Sequence, residues 1–469
     1  MKIFIPRFTL FILFFIIILA NNKAVGQTDS LVLSYKSYLQ NLLNHHPIVQ
    51  KANLKIPLAS ATMLAAKGNL DPTVYALWNE KNFSDKLYYR QYEAKINVPT
   101  KLGIDITGGY QNSNGSYVNP ENNIDDFGLW FLGVEVNVLQ GLLVNERETA
   151  LAQAKIFKQL ALNEQQIILN DLVYNASTAY LIWQLYYTNE RILNENLRIA
   201  NTYFNSTKQT YLNGEKTAMD TLEAYILYQD ATFFLQKNGQ YLLKAKLNVE
   251  NYLWLNTEPI SLTPQTVPQN YKTQLFAIPT IFENTNLANH PIILAAINKL
   301  TYTEIAQRLK REKLKPKLKL KYNPLIGTAT ADKNPNFAIN NFKWGFNFSL
   351  PLLLRSERAN IEKGVIKIKE IKQDLADKRN QLQNKIENSW LQQQLFEQQV
   401  GLLSDNVKNY ERLLNGENIK FNFGESSVFL LNKRQEKYID SRIKLTETYI
   451  QQQIEILNFL YFSNQLIQQ

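Results

Sequence analysis

From Leu142 to Asn213 the chain runs for 72 residues without a glycine or a proline. As one helix that stretch would reach roughly 110 Å at about 1.5 Å per residue, far beyond the usual helix of a compact domain. Within it Leu151, Ala154, Phe157 and Ala161, then Ile168, Leu172, Ala176, Ala179, Trp183 and Tyr186, step by three, four or seven. That spacing is a coiled-coil-like stripe. A second stripe runs Ile361, Val365, Ile368, Ile371, Leu375, Leu382, Ile386 and Trp390, and the helix is strongly polar elsewhere. A helix polar over most of its circumference has little core to join, and it suits a single-layer tube wetted on its inner and outer walls. Gly214 and Gly424 each end such a run and precede another, Glu215 to about Leu255 and Glu425 to Gln469. Glycine after a helix is the expected left-handed stop, so both positions read as tips of helical hairpins.

The two stripes belong to an internal repeat. Asn44-His45-His46-Pro47-Ile48 returns as Asn289-His290-Pro291-Ile292, with the prolines 244 residues apart, and Pro72 and Pro316 keep that offset. Asn145-Glu146-Arg147 then matches Ser356-Glu357-Arg358, and Tyr211 to Thr217 matches Phe421 to Ser427 at an offset of 210. Landmarks in the same order twice mark a tandem architecture. The shrinking offset places 33 extra residues in the first half between Pro72 and Glu146, enough for an additional hairpin over Thr73 to Trp78 and Leu87 to Val98. We read residues 27–256 as a first repeat of helix, strands and long helical hairpin, and residues 286–469 as a second. Residues 257–285, with Pro259, Pro264, Pro268 and Pro279, form a proline-rich linker between them.

Residues 1–26 read as a secretory signal peptide. Lys2 and Arg7 precede an apolar run from Phe8 to Ala20, and Ala24 and Gly26 place small side chains before a cut ahead of Gln27. The rival reading is a membrane anchor, but the run falls short of the roughly 20 residues that span a bilayer. Nothing later in the chain is long and apolar enough to span as a helix, so membrane crossing would require strands in a closed barrel. Removing Lys2, Arg7 and Lys23 takes the formal charge from +10 to +7, a modest excess with no clustered basic and aromatic motif for nucleic acid.

After Pro72 and Pro316 the period of the pattern changes from 3.6 to 2. Leu318, Leu320 and Tyr322 alternate with Lys317, Lys319 and Lys321, and Phe342, Trp344, Phe346, Phe348 and Leu350 with Lys343, Gly345, Asn347 and Ser349. Ile104, Ile106 and Tyr110, and later Leu132, Val134, Val136 and Val138, do the same in the first half. Apolar-out, polar-in alternation with aromatics marks barrel strands around an aqueous lumen. Residues 112–126 and 327–341 are expected as external loops. A soluble antiparallel sheet with one buried face would show the same alternation, but polar helices this long offer it nothing to bury against. One chain supplies four to six strands, fewer than the roughly eight a barrel needs, so the barrel is expected to be shared, most simply by a homotrimer. The fold class is therefore a mixed α+β membrane protein: long α-helical hairpins forming a periplasmic α-barrel, strands of a shared transmembrane β-barrel, and two tandem structural repeats.

These landmarks, in this order and over essentially the whole mature chain, resemble the TolC-like outer membrane efflux protein (outer membrane factor) family. The resemblance rests on the Asn-x-Pro-like helix starts, the strand-to-helix junctions Val138 to Leu143 and Ser349 to Leu352, and the paired tips Tyr211 to Thr217 and Phe421 to Ser427. It implies a trimer with a 12-stranded outer-membrane barrel, continued by a periplasmic helical tunnel that docks on an adaptor (membrane fusion) protein and an inner-membrane pump. It also implies a gate at the tip, around Gly214, Thr217 and Gly424. There Asp220 either matches the family's linking aspartate or merely starts or caps the helix after the tip, while the positions of that aspartate's Tyr and Arg partners hold Phe421 and Ser426. The family's pore-lining aspartate positions hold Leu430 and Lys433, and Glu223 stands as a substitute acidic ring. Phenylalanine has no hydroxyl and serine no charge, so the family's closing ion pair has no counterpart here.

An enzyme has little raw material in this chain. There is no cysteine, and the three histidines are His45, His46 and His290, two of them at equivalent helix starts, which leaves no nucleophile, metal or cofactor site. The expected role is a passive outer-membrane conduit of a tripartite efflux or type I secretion system, exporting small molecules or proteins. The alternative is an exported coiled-coil structural or adhesive envelope protein without a channel. Lys317, Lys319 and Lys321 are candidates for the lumen lining, where they would favour anions.

Overall fold

The computed structural model describes residues 31–124, 128–276, 287–327 and 336–468. The signal-peptide reading over residues 1–26, Pro279 of the linker and most of residues 327–341 lie outside them. Short helices α1 (Tyr35–His45), α2 (Pro47–Asn53) and α3 (Lys55–Gly68) lead into strands β2 (Thr73–Phe83), β3 (Lys86–Pro99), β4 (Ile104–Asn114) and β5 (Leu129–Asn137), with β1 (Leu31–Leu33) ahead of them. Helices α4 (Glu146–Leu212) and α5 (Ala218–Glu250) follow, then the short strands β6 (Trp254–Leu255), β7 (Glu258–Pro259) and β8 (Thr266–Pro268). Helix α6 (Pro291–Glu312), β9 (Lys317–Gly327), β10 (Asn336–Ser349), α7 (Arg355–Asn422) and α8 (Val428–Phe462) complete the chain. The uninterrupted run from Leu142 thus becomes one helix of 67 residues, and its later counterpart one of 68. No described helix is long and apolar enough to cross a membrane.

The first helical stretch is broken where the sequence removes helix options. The break before α2 falls at Pro47, and that before α3 at Leu54 rather than at Pro57. Pro57 lies in the first turn of α3, where a helix needs no donor.

Contacts divide the described chain into two compact units, to each of which α4 and α7 contribute residues. One unit comprises residues 31–46, 175–276 and 392–457 among those described. In it Leu31–Leu33 pairs in parallel with Thr266–Pro268. The Tyr180 hydroxyl donates to the Leu33 carbonyl at 2.6 Å and accepts from the Gln269 amide at 3.0 Å. Ile192, Leu193 and Ile439 form a small core between α4 and α8.

The other unit comprises residues 47–174, 279–391 and 458–469. Its centre is one antiparallel sheet of six strands in the order β10-β9-β5-β4-β3-β2. The strands are longer than their alternation suggests. β4 runs to Asn114 and β10 begins at Asn336, so residues 112–114 and 336–341 of the expected loops are strand. The hairpin over Thr73 to Trp78 and Leu87 to Val98 extends to Phe83 and from Lys86 to Pro99. It closes on Ser84 and Asp85, both at positive φ (52° and 56°), a two-residue turn whose twist matches the strands it joins.

Candidate functional site

The register of the sheet puts its apolar side chains on one face. Trp130, Val134 and Val136 of β5 pair with Ile326, Tyr322 and Leu320 of β9, and Tyr322, Leu320 and Leu318 pair with Trp344, Phe346 and Phe348 of β10. On the other side of β5, Val136, Val134 and Leu132 pair with Ile104, Ile106 and Gly108 of β4. This apolar face is the exposed one: Leu132 is 60%, Trp344 64% and Phe346 65% accessible. The opposite face carries Thr107, Gly133 and Asn323, of which Thr107 is 6% and Asn323 5% accessible. A side chain at Gly133 would collide with Asn323, and one at Gly109 with the Ala94 carbonyl, so this face is where the strands crowd together. A water-soluble sheet is arranged the other way round, apolar face in and polar face out.

The lysine row of β9 lies on the polar face. Lys319 and Lys321 both pair with Glu135 of β5, Lys321 at 3.2 Å and Lys319 closer still. Lys317, at the start of the strand, is exposed. Near the same end of the sheet the first turn of α4 is fastened to β4, because Arg147 holds both carboxylate oxygens of Asp105 at 2.5 and 3.2 Å. Lys313 reaches Glu146 at 2.8 Å, and the Gly141 amide donates to Glu312 at 3.1 Å. The strand-to-helix junction is therefore held by charge-assisted bonds, which are stronger than neutral ones. The sequence carries no local sign of the Glu135 pairing, because its partners are 184 and 186 residues away and become neighbours only through the β5–β9 register.

The helical tips lie in the other unit. Gly214 and Gly424 have φ of +83° and +76°, where a side chain is strained, and no atom would obstruct one at either position. Thr217 caps α5: its hydroxyl accepts from the Asp220 amide at 3.2 Å, while the Asp220 carboxylate accepts from the Thr217 amide at 3.0 Å and hydroxyl at 2.8 Å. This reciprocal arrangement is a capping box. The two Thr217 hydrogen bonds, backbone first, hold the Asp220 carboxyl below the usual carboxylate range. Asp220→Ala is expected to lower stability by about 0.5–2 kcal/mol, the ordinary value of a helix cap. Its carboxylate is the stabilising form, so the contribution is present above the unfolded-state pKa and fades as pH falls below about 4. Thermal melts of wild type and variant at pH 7 and pH 3 check this; a gap as wide at pH 3 as at pH 7 would contradict the capping role.

In place of the family's closing pair, the tip has contacts within the chain. Lys216 stands over the Phe421 ring at 5.2 Å, and Tyr203 meets that ring edge-on at 6.3 Å. The Ser426 hydroxyl donates to Glu417 at 2.5 Å, and Arg434 lies 3.6 Å from the same carboxylate. The positive charge missing at residue 426 is thus present eight residues further on, at Arg434. Leu430 is exposed, and Lys433 pairs with Glu436 of its own helix at 2.8 Å. Glu223 and Lys433 line a groove of about 930 Å³ between α4, α5 and α8, together with Asp230, Glu436, Asp440 and Glu447. Burial raises the Glu447 carboxyl above its ordinary range.

Three solved bacterial outer-membrane proteins share the fold at low sequence identity. The Campylobacter jejuni CmeC outer membrane channel matches with a TM-score of 0.68 at 12% identity, over 92% of this chain and 85% of its own. The Vibrio cholerae outer membrane protein VceC gives 0.64 at 14%, over 91% and 95%. The open state of the Neisseria gonorrhoeae MtrE channel gives 0.57 at 13%, over 94% and 93%. No curated protein matches the chain by sequence. Residues 284–458 match the outer membrane efflux protein family.

Proposed function

We propose that the chain is one subunit of a homotrimeric conduit that crosses the outer membrane through a shared β-barrel. It extends into the periplasm as an α-barrel built from two tandem repeats, and serves a tripartite efflux or type I secretion system. The observation that carries the reading is the inverted sheet, whose exposed apolar face holds Trp130, Leu132, Val134, Leu320, Trp344 and Phe346 while Thr107 and Asn323 on the opposite face are buried. Exposed apolar side chains on this scale fit hydrocarbon and not water. Six strands with two unpaired edges cannot close alone, so the barrel is completed by further copies. An envelope coiled coil would need no such sheet. The periplasmic partners are an adaptor protein and an inner-membrane pump, met at the helical tips that carry Gly214 and Gly424. The conduit is passive, so the pump sets whether the cargo is a small molecule or a protein.

The experiment is outer-membrane fractionation of the full chain, migration with and without boiling, and conductance in a planar bilayer. A heat-dissociable trimer that opens steady channels is expected; a soluble monomer without conductance would overturn the reading. Ion selectivity then probes the polar face. Because Glu135 offsets Lys319 and Lys321, Glu135→Gln is expected to raise the anion-to-cation permeability ratio roughly two-fold, by uncovering two cations per subunit on the lumen wall. Selectivity indistinguishable from wild type would remove these residues from the lumen.

A further inference from the structure

Among the described residues the hairpin β2–β3 has no counterpart in the second half, where β9 and β10 are the strands between α6 and α7. In the sheet it does not stand apart. Its ladder runs from Thr73↔Asn97 to Phe83↔Lys86 and continues through β3 into β4 from Arg90↔Asn114 to Pro99↔Asp105, without interruption between β3 and β4. The apolar face continues with it. Val74, Ala76 and Trp78 pair with Ile96, Ala94 and Tyr92, and these with Gly108, Tyr110 and Asn112. Val74 is 80% and Trp78 62% accessible, and Trp78 stacks on Tyr92 at 5.5 Å. The opposite face of β3 carries Gln91, Glu93, Lys95 and Asn97. The strands are 11 and 14 residues long, and about 9–11 tilted residues cross a bilayer.

We propose, building on the shared-barrel reading above, that β2 and β3 belong to the membrane wall. Each subunit then contributes six strands, and the trimer closes as an 18-stranded barrel in which β2 of one copy pairs with β10 of the next. The occupant of each open edge is a second copy of this chain, for two reasons. Strand directions alternate across the sheet, so β2 and β10 run opposite ways and meet as an antiparallel pair. The lipid and lumen faces of the two edge strands also fall on matching sides. Were the hairpin outside the wall, β4 would have to leave β3 and pair with the neighbour's β10, and the exposed row of Val74 and Trp78 would face water. Strands about 4.8 Å apart and tilted about 40° each take roughly 6 Å of circumference, so 18 give a backbone diameter of about 36 Å and 12 about 24 Å. The 12 strands implied by the family resemblance would thus be exceeded.

The chain has no cysteine, so engineered pairs report contacts without background. Tyr75→Cys, Leu77→Cys and Asn79→Cys on β2 are each combined with Lys343→Cys, Gly345→Cys or Asn347→Cys on β10. Thr107→Cys and Gln111→Cys on β4, combined with the same β10 positions, form the second set. All positions lie on the polar face, and scanning covers the register. Outer membranes bearing the full chain are oxidised and run without reductant. At least one β2–β10 combination is expected to shift most of the chain into covalent dimer and trimer, reversed by reductant, while the β4–β10 set stays monomeric on the gel. Cross-linking of the β4–β10 set, or an intact heat-dissociable trimer in which no β2–β10 combination reacts, overturns the 18-strand wall and leaves the channel reading in place. A chain that fractionates as a soluble monomer sinks the channel reading, and this inference with it.

Discussion

Leu132→Arg is expected to abolish assembly in the outer membrane, whereas Asn347→Arg leaves it intact. Leu132 lies in the middle of β5, opposite Gly108, on the face whose large side chains are exposed. An arginine near the bilayer midplane of a barrel costs about 2–4 kcal/mol. In the proposed trimer, with three copies in one closed barrel, that becomes roughly 6–12 kcal/mol, comparable to the whole stability of a typical domain. Asn347 is also exposed, but it sits on the polar face, across from Lys319. An added cation there meets water. The measurement is the fraction of each variant found as heat-dissociable trimer in outer membranes. Equal yields would mean that the exposed apolar face does not meet lipid. Loss of both would point to a fold too fragile for the comparison, and Leu132→Ala, which adds no charge, would then show whether the site tolerates any change.

The second large effect concerns pH and the start of α6. His290 is 7% accessible and caps the helix, its Nδ1 accepting from the Ile292 amide at 3.2 Å, with Pro291 in the first turn. Burial lowers its pKa from 6.5 to about 4. The unfolded chain therefore takes up a proton near pH 6.5 while the folded chain resists it. Stability is complete above about pH 6.5 and is lost progressively as pH falls toward 4, by as much as about 3 kcal/mol per chain. Protonation of Nδ1 would also remove the capping acceptor. His290→Asn keeps a capping oxygen and cannot titrate. Between pH 7.5 and pH 4.5 the apparent Tm of the wild type is expected to fall by about 5 °C more than that of the variant. Comparing the two falls cancels the carboxylates that titrate in both. Parallel curves would show that His290 carries no pH-linked stability.

These residues differ in how visible they are before folding. The capping role of His290 could be read from its repeated place before a proline, because a helix start is set by a few adjacent residues. Its depressed pKa could not, since burial depends on what packs over it. The tip glycines were equally legible, since a left-handed stop is a local demand. Asp220 was legible only as one of two alternatives, a gate link or a cap, and its hydrogen bonds to Thr217 are those of a cap. The charge sought at residue 426 was present nearby as Arg434, but only the packing of α7 against α8 brings it toward Glu417. Lys319 and Lys321 looked like free cations because the sequence shows the strand and not its neighbour.

By itself, then, the sequence determined the period of each segment: helices too long and too polar for a globular core, strands apolar on one side, and breaks at glycine and proline. Those properties follow from backbone geometry and the spacing of side chains along one element, which a chain carries before it folds. The tertiary structure decided register and neighbours. It joined the extra hairpin to the other four strands as a single sheet, placed Glu135 between two lysines, and turned the apolar face outward. The physical reason is that strand pairing is made between residues far apart in the chain, and a shift of one residue exchanges the two faces of a strand.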